Sequence, residues 1–385
     1  MKRLTIGIFI DTFYPMLDGV VKVTDYQARM LAKDHDVYVF APKAKDVHYV
    51  DDFPYHVKRV LNVYVPTTDY QLAIPPLDRK LNKELKSISF DIIHIQSPFS
   101  MGELGIKIAQ KQGIPVVGTL HSQYEKDFYD RTKSKTFTKV MLKDIMIRLN
   151  KCDVTMTMNE GSKALFMRYG LNKEPVIIPN ATDMLPSKEV DVKAIKKKYD
   201  IKNVFNMIFV GRIDKIKNID FIIDVIHTMN QKNQQFMMYF IGKGAHESIF
   251  KKRVEELKLT DVITFIGPIY DRIELSALYA ACDLLLFPSA YDTNGLVQIE
   301  AASQETPGIF LKDTLAASSI VDYYNGYICG DHVEHFANKI LDIKTDKSKH
   351  KRISKQAKES LYITWETVSE KLLEVYMKVL KESKA

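Results

Sequence analysis

The sequence predicts an α/β protein made of two doubly wound domains, each with a parallel sheet covered by helices. Three observations support this. Apolar runs of four to six residues alternate with helix-like segments in both halves of the 385-residue chain. The alternation stops once, at a proline-rich stretch covering residues 175–186, and then restarts. Glycines and charges collect in the loops that follow apolar runs, at the strand C-termini where such sheets bind ligands.

In chain order, the first half offers strands at residues 5–10, 37–41, 92–96, 116–119 and 154–158, and helices at 23–33, 103–112 and 162–169. Residues 49–78 carry Pro54, Pro66, Pro75 and Pro76 and read as an excursion of loops and short strands. The two halves join near residues 179–190. Strands then recur at 206–210, 237–241, 262–265, 284–287 and 308–311, with helices at 221–230, 249–257 and 275–281. Residues 365–381 read as a final amphipathic helix. Right-handed crossovers would make both halves Rossmann-like, and two such domains facing across a cleft would bring strand C-termini and helix N-termini together there.

Composition narrows the function classes. Hydrophobic content of 46% and charged content of 27% suit a globular protein, and no apolar stretch reaches the roughly 20 residues of a membrane span. Lys2 and Arg3 precede an apolar run, but Asp11 ends it early, so it reads as a first strand and not a signal peptide. Cys152, Cys282 and Cys329 stand singly without metal-ligand spacing, which fits buried thiols in the cytoplasm. A formal net charge of +7 suits an anionic partner: a nucleoside diphosphate, anionic lipid or nucleic acid. No basic groove with interleaved aromatics supports nucleic acid.

The stretch 283–303, DLLLFPSAYDTNGLVQIEAAS, reads as strand, loop and helix N-terminus, with Asp292 in the loop and Glu300 in the helix. Backbone N–H groups at Asn294, Gly295, Leu296 and Val297 would face whatever the loop encloses. An ordinary strand–helix connection with a capping Asp292 and a solvated Glu300 is the plainer alternative. Arg212, Lys215 and Lys217 crowd the loop after the first strand of the second half, where they could neutralise a diphosphate without a metal or could simply be solvated. Gly211 and Gly242 end successive strands there. Gly19 follows the first strand of the chain; the absence of GxGxxG disfavours a nicotinamide cofactor, but one glycine can still admit a diphosphate, or serve a turn. A lone histidine is more often structural, but His121 lies just past a strand, a position that brings a functional role level with a structural one, whereas His94 in mid-strand reads as core. Residues 131–151 form a basic amphipathic stretch: Lys135, Lys139 and Lys143 repeat along one stripe, and Phe137, Met141, Ile145 and Leu149 along another. It could lie on an anionic membrane or pack on its own domain. The basic cluster at 347–358 reads as a solvated face.

Together, IGIFIDTFYPMLDGV, GTLHSQYE, IPNATD, FVGRIDKIKN, FIGKG and FPSAYDTNGLVQIEAAS resemble, in order and spacing, the family 4 (group 1) retaining glycosyltransferases of GT-B fold. The resemblance spans nearly the whole chain. It implies an acceptor-binding domain at 1–180, a nucleotide-sugar-binding domain at 181–364, and a C-terminal helix near 365–385 that packs back on the first domain. Arg212 and Lys217 match the pair that grips the donor diphosphate. Glu300 matches the second Glu of the family's E-x7-E motif, at the ribose hydroxyls. Asp292 stands where the first Glu is usual, near the donor sugar, and is one methylene shorter. Gly295 and the following amides match the loop meeting sugar and phosphate, His121 a histidine near the transferred sugar, Gly19 the N-terminal glycine loop, and Ile269 the segment touching the base. The resemblance thus implies metal-independent hexosyl transfer from a nucleotide-sugar, UDP-sugar favoured, with no cofactor. The acceptor implied is a membrane lipid such as diacylglycerol or another cell-envelope glycoconjugate, reached on the inner face of the membrane. A catalytically inactive partner subunit of the same fold is the competing expectation, supported only by Asp292.

Overall fold

A computed structural model describes residues 2–16, 18–46, 48–64, 71–184 and 190–383. Pro66 and the end of the proline-rich stretch, both singled out in the sequence, lie outside the described residues. The chain divides into two compact units, Met1–Asn180 with Trp365–Ala385, and Ala181–Thr364.

The first unit runs β1 (Thr5–Phe9), α1 (Gly19–Leu31), β2 (Asp36–Pro42), β3 (His56–Val60), β4 (Asn62–Tyr64), β5 (Gln71–Ala73), α2 (Arg79–Leu85), β6 (Ile92–Ile95), α3 (Ser100–Gln112), β7 (Val116–Thr119), α4 (Tyr124–Thr132), α5 (Lys135–Leu149), β8 (Val154–Thr157), α6 (Glu160–Tyr169) and β9 (Val176–Ile177). Its sheet has the order β3-β2-β1-β6-β7-β8-β9, and every pair is parallel. The order reverses between β1 and β6, which places the loops after those strands at a topological switch point. The proline-rich excursion supplies β3 and the antiparallel pair β4–β5.

The basic stretch at 131–151 is not one continuous helix. Lys133 takes a left-handed conformation (φ 51°) and ends α4, and the Ser134 hydroxyl then caps α5 at the Phe137 N–H. Nor does its apolar stripe bury as a unit. Ile145 and Leu149 are in the core with Thr138 and Met146, while Phe137 faces solvent with Val140 and Ile147.

The second unit runs α7 (Val192–Lys198), β10 (Phe205–Val210), a 3-10 turn at Lys215–Lys217, α8 (Ile219–Asn230), β11 (Phe236–Ile241), α9 (Glu247–Glu256), β12 (Ile263–Gly267), α10 (Arg272–Ala280), β13 (Leu284–Phe287), α11 (Leu296–Ser303), β14 (Gly308–Leu311), β15 (Tyr327–Cys329), α12 (Val333–Thr345) and α13 (Lys347–Leu361). Its sheet order is β12-β11-β10-β13-β14-β15, again all parallel. Successive residues of β10 feed opposite cores, with Met207 and Phe209 on one face and Ile208 and Val210 on the other. The same holds for Leu284 and Leu286 against Leu285 and Phe287 in β13. Burial on both faces is why these strands read as continuous apolar runs and not as alternating ones. The cluster at 347–358 is more than a solvated face: it forms most of α13, which buries Ile353, Ser354 and Ala357.

The last helix, α14 (Trp365–Glu382), belongs to the first unit. It buries Trp365, Val368, Leu372, Tyr376 and Val379 at helical spacing, and Trp365 stacks on Tyr26 of α1 with ring centroids 5.0 Å apart.

Candidate active site

In the second unit, the charged residues singled out in the sequence sit where β10 and β13 end, the switch point of that sheet. Asp214 caps the 3-10 turn, and the Asn218 side chain donates to the Pro288 carbonyl (3.1 Å), so the loops after β10 and β13 are tied together. Across that tie Lys217 Nζ reaches both Asp292 oxygens, at 2.6 and 2.8 Å, with both side chains largely buried. Neither the motif nor its spacing announced this pair, because the residues are 75 positions apart. Arg212 is exposed in the same loop, and its guanidinium has no hydrogen-bond or ion-pair partner among the described residues. Gly211 takes φ +152°. Gly242 is required for a different reason: a Cβ there would lie 1.9 Å from the Gly211 carbonyl oxygen, so its absence lets the two loops meet.

The loop after β13 is internally braced, since the buried Ser289 hydroxyl accepts from the Tyr291 and Asp292 N–H groups at 3.3 and 3.4 Å. Asn294, Leu296 and Val297 are half-buried, and α11 starts at Gly295 with no side-chain cap and no acidic residue in its first turn. Its dipole end therefore stays available to an anion. Ile269, after β12, is partly buried against the core.

Glu300 is buried, not solvated. One oxygen accepts from Arg272 Nη2 at 2.8 Å and the other from the Tyr279 hydroxyl at 3.1 Å, and Arg272 Nη2 also reaches Asp183 at 2.6 Å. Burial opposes the Arg272 charge, but the two carboxylates outweigh it and hold its pKa above the usual arginine value. Burial, reinforced by Glu300, pushes the Tyr279 phenol far up, so it stays a donor. Arg272, Tyr279 and Asp183 were invisible as site residues in the sequence. They come from α10 and from the chain before α7, and only the folded sheet brings them to α11.

In the first unit, Asp18 caps α1 at the Val21 N–H (2.8 Å), and Gly19 opens the helix. A Cβ at Gly19 would meet no atom of the described residues within 4 Å beyond its chain neighbours and its own helix backbone, so packing among them does not demand glycine there. Asp11, after β1, is buried and accepts from the hydroxyls of Ser97 (2.6 Å) and Ser100 (2.9 Å) and from the Met101 N–H (2.9 Å). It fastens the loop after β1 to the start of α3.

His121, past β7, is buried, and its Nε2 lies 2.7 Å from Gln96 Oε1. Burial lowers its pKa to about 4, so the ring is neutral near pH 7. His94 is core, as its mid-strand position suggested, and burial followed by the neighbouring His121 takes it to about 3. Gly19, at the start of α1, and His121, in the loop after β7, stand on separate segments of this unit. Among the described residues no group of three or more His, Cys, Asp or Glu could hold a metal ion, and no helix is long and apolar enough to cross a membrane.

Comparison with known proteins agrees with this fold. Residues 17–184 match glycosyltransferase family 4, and residues 191–360 match glycosyl transferases group 1. The chain is 26% identical to an alpha-monoglucosyldiacylglycerol synthase of Acholeplasma laidlawii, over 84% of each chain. It is also 26% identical to a protein of the same name from Streptococcus pneumoniae, over 80% of this chain and 70% of that one. Among solved structures, Anabaena HepE in complex with UDP-glucose superposes with a TM-score of 0.76 at 17% identity, covering 98% of this chain and 100% of the other. The chain belongs to the family 4 (group 1) glycosyltransferases, retaining enzymes of GT-B fold that use nucleotide-sugars.

Proposed function

We propose that this glycosyltransferase moves a hexose from a UDP-sugar to a hydroxyl of a membrane lipid of the diacylglycerol kind, without a metal. The observation that carries the acceptor is the outer face of α5. Phe137, Val140 and Ile147 are exposed there among the exposed Lys135, Lys139 and Lys143, an apolar strip flanked by cations that suits an anionic bilayer surface. The names of the two bacterial relatives point to the same acceptor, and the HepE complex points to a UDP-sugar.

In the mechanism, the bond from the anomeric carbon to the diphosphate oxygen breaks and the departing diphosphate keeps the electron pair. The acceptor hydroxyl attacks from the same face, and its proton passes to the leaving phosphate oxygen. Arg212, Lys217 and the uncapped start of α11 stabilise the charge that grows on the diphosphate. In the first unit Gly19 leaves room for a ligand and His121 serves the sugar; in the second, Glu300 serves the ribose through the Arg272 and Tyr279 network and Asp292 the sugar end of the donor. The enzyme works as a peripheral protein on the inner face of the membrane.

The test is nucleoside diphosphate release by the purified chain in EDTA, from UDP-, GDP- and ADP-sugars, with and without vesicles containing diacylglycerol and anionic lipid. Release from a UDP-sugar, stimulated by the vesicles, is expected. Release without stimulation removes the lipid acceptor. Silence that magnesium reverses removes metal independence, and silence throughout turns the reading to an inactive partner subunit.

A further inference from the structure

We propose that Tyr376, on the C-terminal helix, sets the proton order of a buried hydrogen-bond chain that ends on His121, and so fixes His121 as its Nε2–H tautomer. The inference deepens the reading of His121 as a substrate-facing group and rests on it.

Three links of the chain are 2.7 Å long, and the one joining Gln96 to His94 is 3.5 Å. Tyr376 Oη lies 2.7 Å from His94 Nδ1, and His94 Nε2 lies 2.7 Å from Thr119 Oγ1. Gln96 Nε2 stands 3.5 Å from His94 Nδ1 and 2.9 Å from Gln27 Oε1, and Gln96 Oε1 stands 2.7 Å from His121 Nε2. All six side chains are buried. Imidazoles and amides can each be turned around, so the links taken singly allow either direction.

Tyr376 breaks the tie. Its phenol is fully buried, and burial raises its pKa, so it keeps its hydrogen. That hydrogen needs an acceptor, and His94 Nδ1 is the only hydrogen-bond partner of the hydroxyl among the described residues. His94 is neutral, so with Nδ1 accepting, its proton sits on Nε2 and is donated to Thr119 Oγ1. The Gln96 amide must then turn its NH2 toward the His94 lone pair, where it also donates to Gln27 Oε1. Its carbonyl oxygen is left facing His121 Nε2, which must donate. The reversed order would strand the Tyr376 hydrogen without an acceptor. The Thr119 hydroxyl, slightly exposed, tolerates its role better than a fully enclosed phenol would tolerate the opposite one.

His121 therefore carries its lone pair on Nδ1 and presents a neutral acceptor, not a donor, to whatever faces that atom. A sugar hydroxyl can donate to such a group. The other tautomer would offer a donor at Nδ1, and an imidazolium would set positive charge beside a sugar that itself becomes cationic. Tyr376 and Gln96 are positioning residues in this scheme, acting on substrate only through His121.

The test is nitrogen-15 NMR of the whole chain labelled at its ten histidines, with the His121 signals identified by their loss in His121→Ala. The wild type should show His121 as the Nε2–H tautomer. Tyr376→Phe, which removes one hydroxyl, should mix or reverse that tautomer. It should also lower kcat with UDP-glucose and diacylglycerol vesicles by at least about tenfold, as a misplaced imidazole proton does elsewhere, with KM and melting temperature little changed. An Nδ1–H tautomer in the wild type overturns the proposal, and so does an unchanged His121 tautomer in Tyr376→Phe. Full turnover by His121→Ala would instead remove His121 from the substrate and leave the tautomer result standing.

Discussion

The two units carry their candidate site residues in opposite electrostatic styles on the same kind of sheet. In the first unit the groups are neutral, buried and held by hydrogen bonds: His121 on Gln96, Gln96 on Gln27, His94 on Tyr376 and Thr119. In the second they are ionic and more exposed: Arg212 without a partner among the described residues, Lys217 on Asp292, Arg272 on Glu300 and Asp183. A donor diphosphate brings charge that grows in the transition state, so cations that keep partial access to solvent can change partners when it binds. A sugar or lipid hydroxyl brings none, so a fixed array of donors and acceptors discriminates better than a charge. The contrast predicts that perturbing the second unit acts through lost charge, while perturbing the first acts through hydrogen-bond geometry and proton binding.

Arg212→Ala breaks the comparison most severely. No group among the described residues bonds to this guanidinium, so its loss should leave folding intact. It should lower kcat/KM by about 10²–10³, the scale of one missing oxyanion donor. Steady-state turnover of a UDP-sugar beside a thermal melt separates the two effects. Unchanged turnover would dissolve the charged half of the comparison.

The neutral half is tested by pH. An ordinary histidine binds a proton near pH 6.5 in the unfolded chain. Burial lowers His94 to about 3, with His121 adding to it, and burial alone lowers His121 to about 4. Between about pH 6.5 and those values the unfolded state binds protons that the folded state refuses, so stability falls as pH falls. It is fully present above about pH 6.5. The upper bound is about 1.4 kcal/mol per pH unit for each histidine. Urea midpoints from pH 7.5 to 5 should show the slope, and His94→Gln should flatten it. An equal slope in the variant would mean that His94 is not buried as a neutral ring.

Much of the fold was legible because burial on both faces writes itself as short apolar runs, as in Leu284–Phe287. What the pattern hid was whatever long-range contact decides. The strand Tyr327–Cys329 is only three residues long, too short to show a period, and nothing in it announces pairing with β14. The basic residues of α13 mask the buried Ile353 and Ala357. Single site residues stood out by type and position, notably Arg212, Lys217, Asp292 and His121. Their partners did not: Gln96 is 25 positions from His121, and Arg272 is 28 from Glu300. A loop motif records which chemistry is present, whereas sheet register decides which groups meet.

The smallest expected effect comes from a third region, the outside of α5, where cations are exposed on the unit whose His121–Gln96 array is neutral. Lys139 and Lys143 flank the exposed Val140 and Ile147. Each lysine beside an anionic bilayer contributes about 1 kcal/mol. Lys139→Ala or Lys143→Ala should then weaken binding to anionic vesicles about fivefold and make it less sensitive to salt. Melting temperature should hold, because neither side chain is buried. Sedimentation with vesicles of graded anionic content measures this directly. Binding that ignores both the lysines and the lipid charge would leave the α5 face as ordinary solvated surface and take the membrane acceptor's main support with it.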